Sequence, residues 1–131
     1  KMSIDKYFNK HGEQAFREQE HKLCLELSTQ TNTVISTGGG IIKNINNIQA
    51  LKKNGIIICL MASPEQIYAR IKNSRTRPLL KSSDPLKRIK EILAEREQAY
   101  RQSADTVINN DYMSGAQTAE KILEYITKAK V

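Results

Sequence analysis

The sequence predicts an α/β domain built on parallel strands, and three observations carry the prediction. Segments of strand composition, Thr33–Thr37 (TVIST) and Gly55–Met61 (GIIICLM), alternate with stretches whose apolar residues recur every three to four positions. The second segment is apolar almost throughout, which is the composition of a parallel strand buried on both faces. Twice a capping residue precedes proline, at Ser63-Pro64 and Asp84-Pro85, so helices open where the chain leaves a strand or a polar stretch. Strand and helix in alternation place the helices as crossovers between parallel strands, on both faces of a three-layer sheet.

Each element has a local cause. Ser3 can cap a short helix with Ile4, Tyr7 and Phe8 on its apolar edge, ending near His11-Gly12 where glycine admits the left-handed conformation. Glu13 to about Thr29 reads as a longer helix with Phe16, Leu23, Cys24 and Leu27 on one stripe. Thr33–Thr37 is β-branched and runs into Gly38-Gly39-Gly40, a buried strand ending in a glycine turn. Ile45 to Lys53 is a helix closed by Asn54-Gly55, and Gly55–Met61 is the next strand. A helix from Pro64 to about Lys72 precedes a polar, basic loop from Asn73 to Ser83. Pro85 opens a long helix to about Ser103, Thr106–Asn110 is a third strand, and Ala116 to Lys128 is a terminal amphipathic helix.

The 131 residues are expected to form one domain, 1–131, with an apolar fraction of 39% that suffices for a core. No run reaches the roughly 18 to 20 apolar residues that span a bilayer. With no signal-peptide segment near the start, a cytoplasmic protein with no membrane partner is expected. Cys24 and Cys59 lie far apart without a CxxC partner, so they read as reduced core residues rather than a disulfide or a zinc site, and no metal ligand set is predicted. His11 and His21 read as surface residues, lacking a third ligand or a nucleophile.

The formal charge is +7, and its distribution is uneven. Between Arg70 and Arg101 ten basic residues face four acidic ones, which points to an anionic partner. No aromatic residue interrupts Ala69–Ala99, whereas single-stranded nucleic acid is gripped by aromatic platforms among the cations. A small phosphorylated ligand suits the charge as well.

Geometry singles out further groups. Arg96 falls on the apolar stripe Leu86, Ile89, Leu93, Tyr100 of the Pro85 helix, so its cation is aimed inward, either to meet an anion or to lay its stem on the core with its head in solvent. Glu20 lies in the apolar stripe of the earlier helix and Arg17 three residues before it, within pairing reach. The pair is an ordinary intrahelical ion pair or a carboxylate holding an arginine ready for a ligand. Gly38, Gly39 and Gly40 directly after a strand let backbone N–H groups approach an anion, although a tight turn would use them too. Arg75-Thr76-Arg77-Pro78-Leu79-Leu80 places two arginines before an extended proline, as a lid over phosphates or as a solvated loop.

Taken together, these motifs resemble the shikimate kinases over almost the whole chain. The residues that carry the likeness are Met2-Ser3-Ile4, Gly12-Glu13-x-x-Phe16-Arg17-x-x-Glu20, Ser36-Thr37-Gly38-Gly39-Gly40, Arg70 with Arg77-Pro78-Leu79-Leu80, Glu95-Arg96-x-x-x-Tyr100 and Ala104-Asp105. The resemblance implies a P-loop fold of the nucleoside-monophosphate-kinase type and transfer of the γ-phosphoryl group of ATP to the 3-hydroxyl of shikimate, on the route to chorismate. It implies that helices within 1–30 bind substrate and that 72–84 is a lid. Arg17 and Arg96 would grip the shikimate carboxylate, Glu20 would support Arg17, and Gly38, Gly39 and Gly40 would offer backbone to the substrate. Arg77 would act on the transferring phosphoryl group, with Arg70, Arg77, Pro78 and Met113 near the nucleotide. Where the family tends to carry a long polar side chain beside the adenine, this sequence has Met113, so backbone contact is expected there.

One departure stands out. Residues 1–131 contain no GxxxxGK[ST], and the acidic DxD-type segment that would supply magnesium ligands and the hydroxyl-activating aspartate is absent as well. The expectation is therefore a domain without the family's first two strands, inactive by itself, with both strands beside the gap exposing backbone. ATP, magnesium and shikimate are the ligands expected, nucleic acid is not, and a monomer is expected. The rival readings are a non-catalytic basic module for nucleic acid or acidic partners, and a kinase-like regulatory subunit without a P-loop.

Overall fold

The structure is a computed structural model describing residues 2–73 and 83–129. The chain divides into two compact units, Lys1–Ile57 and Ile58–Val131.

The first unit begins with helix α1, Ile4–Leu27, capped by Ser3, whose hydroxyl accepts from the Lys6 N–H at 3.2 Å. The sequence expectation of two helices meeting at glycine is met inside this one element, because Gly12 has φ +85° and ψ 170°. That region is closed to side-chain-bearing residues, so glycine marks the kink. The bend has a visible product: the rings of Phe8 and Phe16 lie 4.7 Å apart. Eight residues of straight helix would separate them by about 12 Å along the axis.

The burial of α1 departs from the stripe read in the sequence. Cys24 is 5% exposed, yet Leu23 is 53% exposed. Arg17, Glu20, Cys24 and Leu27 recur at three- and four-residue steps, so they share the inward face and Leu23 lies about 100° away from Cys24. Two charged side chains were thus placed on the core-facing side at the expense of a leucine.

Thr33–Thr37 is not a strand. The segment is extended and unpaired among the described residues, with Val34 97% exposed. A strand requires a hydrogen-bonded neighbour as well as β-branched composition, and the first unit offers none. The chain then enters a 3₁₀ turn, Gly39–Lys43, and helix α2, Ile45–Asn54, which is capped by the side chain of Asn44 accepting from Asn46 N–H at 3.0 Å. Helix α2 packs on α1, and Cys24, Ile41 and Ile48 form the core with Ile42, Leu51 and Ile57 against them.

The second unit carries the sheet. Strands β1, Ile58–Met61, and β2, Thr106–Asn109, pair in parallel with Ile58 opposite Thr106 and Met61 opposite Asn109. The parallel pairing agrees with the α/β prediction, although three strands were expected and two are formed among the described residues. β1 is shorter than Gly55–Met61, and Leu60 is 48% exposed, so it is not covered on both faces.

Helices α3, Pro64–Ile71, and α4, Pro85–Ser103, pack together, and Ile89 of α4 is 2% exposed. Both begin as the sequence predicts. Ser63 accepts from Gln66 N–H at 3.3 Å and Asp84 from Lys87 N–H at 3.2 Å, with proline at the first helical position, where no N–H is needed. Helix α5, Gly115–Ala129, starts in a reciprocal capping box: Gln117 N–H donates to Ser114 Oγ at 3.1 Å, and Ser114 N–H to Gln117 Oε1 at 2.9 Å. No described helix is long and apolar enough to cross a membrane.

Candidate active site

In the first unit, α1 and the glycine turn converge on Arg17. Its Nη1 donates to Glu20 Oε1 at 3.0 Å, one helical turn away, with side chains 24% and 15% exposed. Partial burial and a fixed hydrogen bond hold the guanidinium in one orientation, which an exposed pair would not do. Its Nε is buried and makes no hydrogen bond, with Glu13 Oε1 3.5 Å away. Glu13 in turn meets Lys43 Nζ at 2.5 Å, so the far end of the glycine turn is tied to the same helix. The Lys43 hydrogen bond, followed by its charge, holds the Glu13 carboxyl below its ordinary pKa.

The glycines are not equivalent. A Cβ built on Gly40 would fall 2.7 Å from Arg17 Cζ, whereas one on Gly38 meets nothing within 4 Å. Gly40 is buried, and the Ile41 N–H closes the turn by donating to the Gly38 carbonyl at 3.3 Å. The structure therefore brings Arg17, Glu20 and Gly40 together as one group.

Sequence reasoning missed two residues here. His21 is half-buried rather than a surface residue, and its Nδ1 lies 2.7 Å from Oδ1 of Asn47. Asn47 is 1% exposed and donates from Nδ2 to the Ile41 carbonyl at 3.1 Å. A polar residue on the apolar side of α2, beside Ile48, was the available signal. His11 does lie exposed, its ring 4.6 Å from that of Tyr7.

In the second unit, Arg70 closes the corner after β2. Nη1 donates to Asn110 Oδ1 at 3.2 Å, and Nη2 to the carbonyls of Asn110 and Asp111 at 2.6 and 3.3 Å. The corner is also held by Ser63 N–H on Asp111 Oδ1 at 2.6 Å and by Met113 N–H on the Asn110 carbonyl at 3.2 Å. Arg70 and the Met113 turn, read separately in the sequence, are thus one structure at the carboxyl end of β2. Arg96 is half-buried on α4, and its Nη1 meets the Tyr100 hydroxyl at 3.4 Å, one turn on. Arg77 and Pro78 lie outside the described residues. Among the described residues no three His, Cys, Asp or Glu side chains converge as a metal site would require.

Comparison with known proteins supplies the deciding observation. The family model described as shikimate kinase matches residues 1–127. The chain belongs to the shikimate kinase family. Shikimate kinase of Caldanaerobacter subterraneus is 42% identical over 130 residues, spanning 99% of this chain and 73% of that protein. The enzyme of Caldicellulosiruptor saccharolyticus is 44% identical over 123 residues, 94% of this chain and 71% of the relative. Among solved structures, a shikimate kinase from Acinetobacter baumannii in complex with shikimate matches with a TM-score of 0.92 at 32% identity, over 98% of this chain and 72% of that one. The α/β prediction and the resemblance read from the motifs thus agree with the family assignment, and the shikimate kinase fold accounts for parallel strands linked by helices.

Proposed function

We propose that this chain binds shikimate and serves in transfer of the ATP γ-phosphoryl group to the shikimate 3-hydroxyl, in a cytoplasmic, monomeric enzyme of the chorismate route. One observation carries the reading: a guanidinium fixed by Glu20 lies against Gly40, where no side chain fits. Such a fork recognises a small carboxylic acid by two parallel N–H bonds, which fixes its orientation as well as its place. A preset fork loses little freedom on binding, so more of the contact energy appears as affinity.

In this reading Arg17 holds the carboxylate, Glu20 keeps Arg17 in its rotamer, and Gly39 and Gly40 offer backbone beside the acid. Arg77 stabilises charge on the transferring phosphoryl group. Arg70, already hydrogen-bonded to the corner at Asn110, serves the nucleotide side together with Met113. The reading assigns magnesium no ligand among the described residues. The charge surplus between Arg70 and Arg101 then faces phosphate rather than nucleic acid.

Calorimetry with shikimate tests it. The chain should bind shikimate, Arg17→Ala should abolish the heat, and Arg17→Lys should not restore it, since an ammonium lacks the planar fork. A folded chain that takes up no shikimate, or an Arg17→Ala variant that binds it normally, overturns the reading.

A further inference from the structure

We propose that Asn47 is a positioning residue for shikimate binding, setting the glycine turn against Arg17, and that His21 holds it as the Nδ1-protonated tautomer. The proposal rests on the carboxylate-binding reading of Arg17 and names residues beyond it. Asn47 is 1% exposed, and a buried amide is costly unless both its ends are used. Both are.

The polarity of the arrangement follows from elementary chemistry. The Ile41 carbonyl can only accept, so the amide nitrogen of Asn47 must face it, as it does at 3.1 Å. Oδ1 is thereby turned to His21 Nδ1 at 2.7 Å, and an amide oxygen can only accept. The proton between them therefore belongs to His21 Nδ1. Only a proton on Nδ1 satisfies all three groups.

Its consequence is mechanical. Ile41 follows Gly40, its N–H is bound to the Gly38 carbonyl, and its own carbonyl is bound to Asn47. Both peptide planes around Ile41 are thus fixed, and with them the height of Gly40 over the Arg17 guanidinium. Arg17 and His21 stand four residues apart on α1, on adjacent turns of one face. The helix holds the turn at two neighbouring points, directly at Gly40 and through Asn47 at Ile41. The third tie, Lys43 to Glu13, is 43% and 51% exposed and contributes little.

Shikimate calorimetry on the full chain, with circular dichroism and urea midpoints as folding controls, tests the assignment beside Arg17→Ala. Asn47→Leu and Asn47→Asp should each lower shikimate affinity by about tenfold, since one removes and the other reverses the donor to Ile41. His21→Leu, at a less buried site, should lower it by severalfold, and His21→Gln, which keeps an N–H donor, should recover most of the loss. Nitrogen-15 spectra should show His21 protonated at Nδ1 in the parent chain and mainly at Nε2 in His21 of Asn47→Leu. Normal affinity in folded Asn47→Leu, or in His21→Leu should the former not fold, overturns the proposal while Arg17→Ala remains deficient. So does an Nε2-protonated His21 in the parent chain. If Arg17→Ala binds normally, the carboxylate reading falls and this proposal with it.

Discussion

The guanidinium of Arg17 occupies the space that a side chain on residue 40 would need, with Cζ 2.7 Å from the position of a Cβ there. The first and last of three consecutive glycines thus differ in role. The colliding atoms are the far end of a flexible side chain, so Gly40→Ala displaces Arg17 rather than unfolding the turn. Shikimate affinity should fall by about tenfold with little change in the urea midpoint. Gly38→Ala, at φ −75° with open space beside it, should leave both unchanged. Parallel calorimetry and denaturation of the two variants check this, and equal losses would count against the contact.

Glu20→Gln keeps the shape of the partner and removes its charge. A hydrogen bond to an ionised group is stronger than a neutral one by about 1 kcal/mol, so shikimate affinity should fall about fivefold. Titration of the variant at fixed ionic strength provides the number. An unchanged affinity would show that Arg17 holds its orientation without the carboxylate.

Gly12 tests the backbone alone. A Cβ added there meets nothing within 4 Å, but φ +85° with ψ 170° is a glycine region. Gly12→Ala should destabilise the chain by about 1 to 3 kcal/mol, read as a lower urea midpoint at unchanged m. Gly12→Asn should do no better, because asparagine is tolerated in the left-handed helical region and not at this ψ.

Burial raises the pKa of both thiols, with the charge of Glu20 a smaller cause at Cys24 and Arg101 opposing it at Cys59. Both should therefore react slowly with thiol reagents in the native chain at neutral pH and rapidly in urea. The folded chain holds these protons where the unfolded chain has lost them. Stability should accordingly be unaffected by them below the ordinary value of 9.0 and decline as pH rises from there through the raised native values. Replacing both cysteines by alanine should flatten that decline in a pH series of urea midpoints.

Arg70→Ala removes three hydrogen bonds from the corner at Asn110 and Asp111. Amide exchange in the turn after β2 should quicken, while shikimate affinity stays as it was. A matching loss of shikimate binding would place Arg70 in the acid site instead.

Most of the local structure was legible in the chain because its causes are local. Ser3, Ser63-Pro64 and Asp84-Pro85 start helices through atoms three residues away, and Gly12 bends α1 through its own φ. The Ser114 to Gln117 box was equally local and passed unread, with Gly115 following its serine. The Arg17–Glu20 pair was readable for the same reason, since one helical turn brings the two together whatever surrounds them.

What sequence alone determined here is the family, the parallel α/β class, the helix starts and the short-range ion pair, all of which depend on residue order or on contacts within one turn. Tertiary structure decided that Thr33–Thr37 remains unpaired, that Leu23 turns outward, and that Asn47 reaches across 26 positions to His21. Strand pairing, helix rotation and buried hydrogen bonds each need a partner remote in sequence, and propensity carries no information about where that partner will stand.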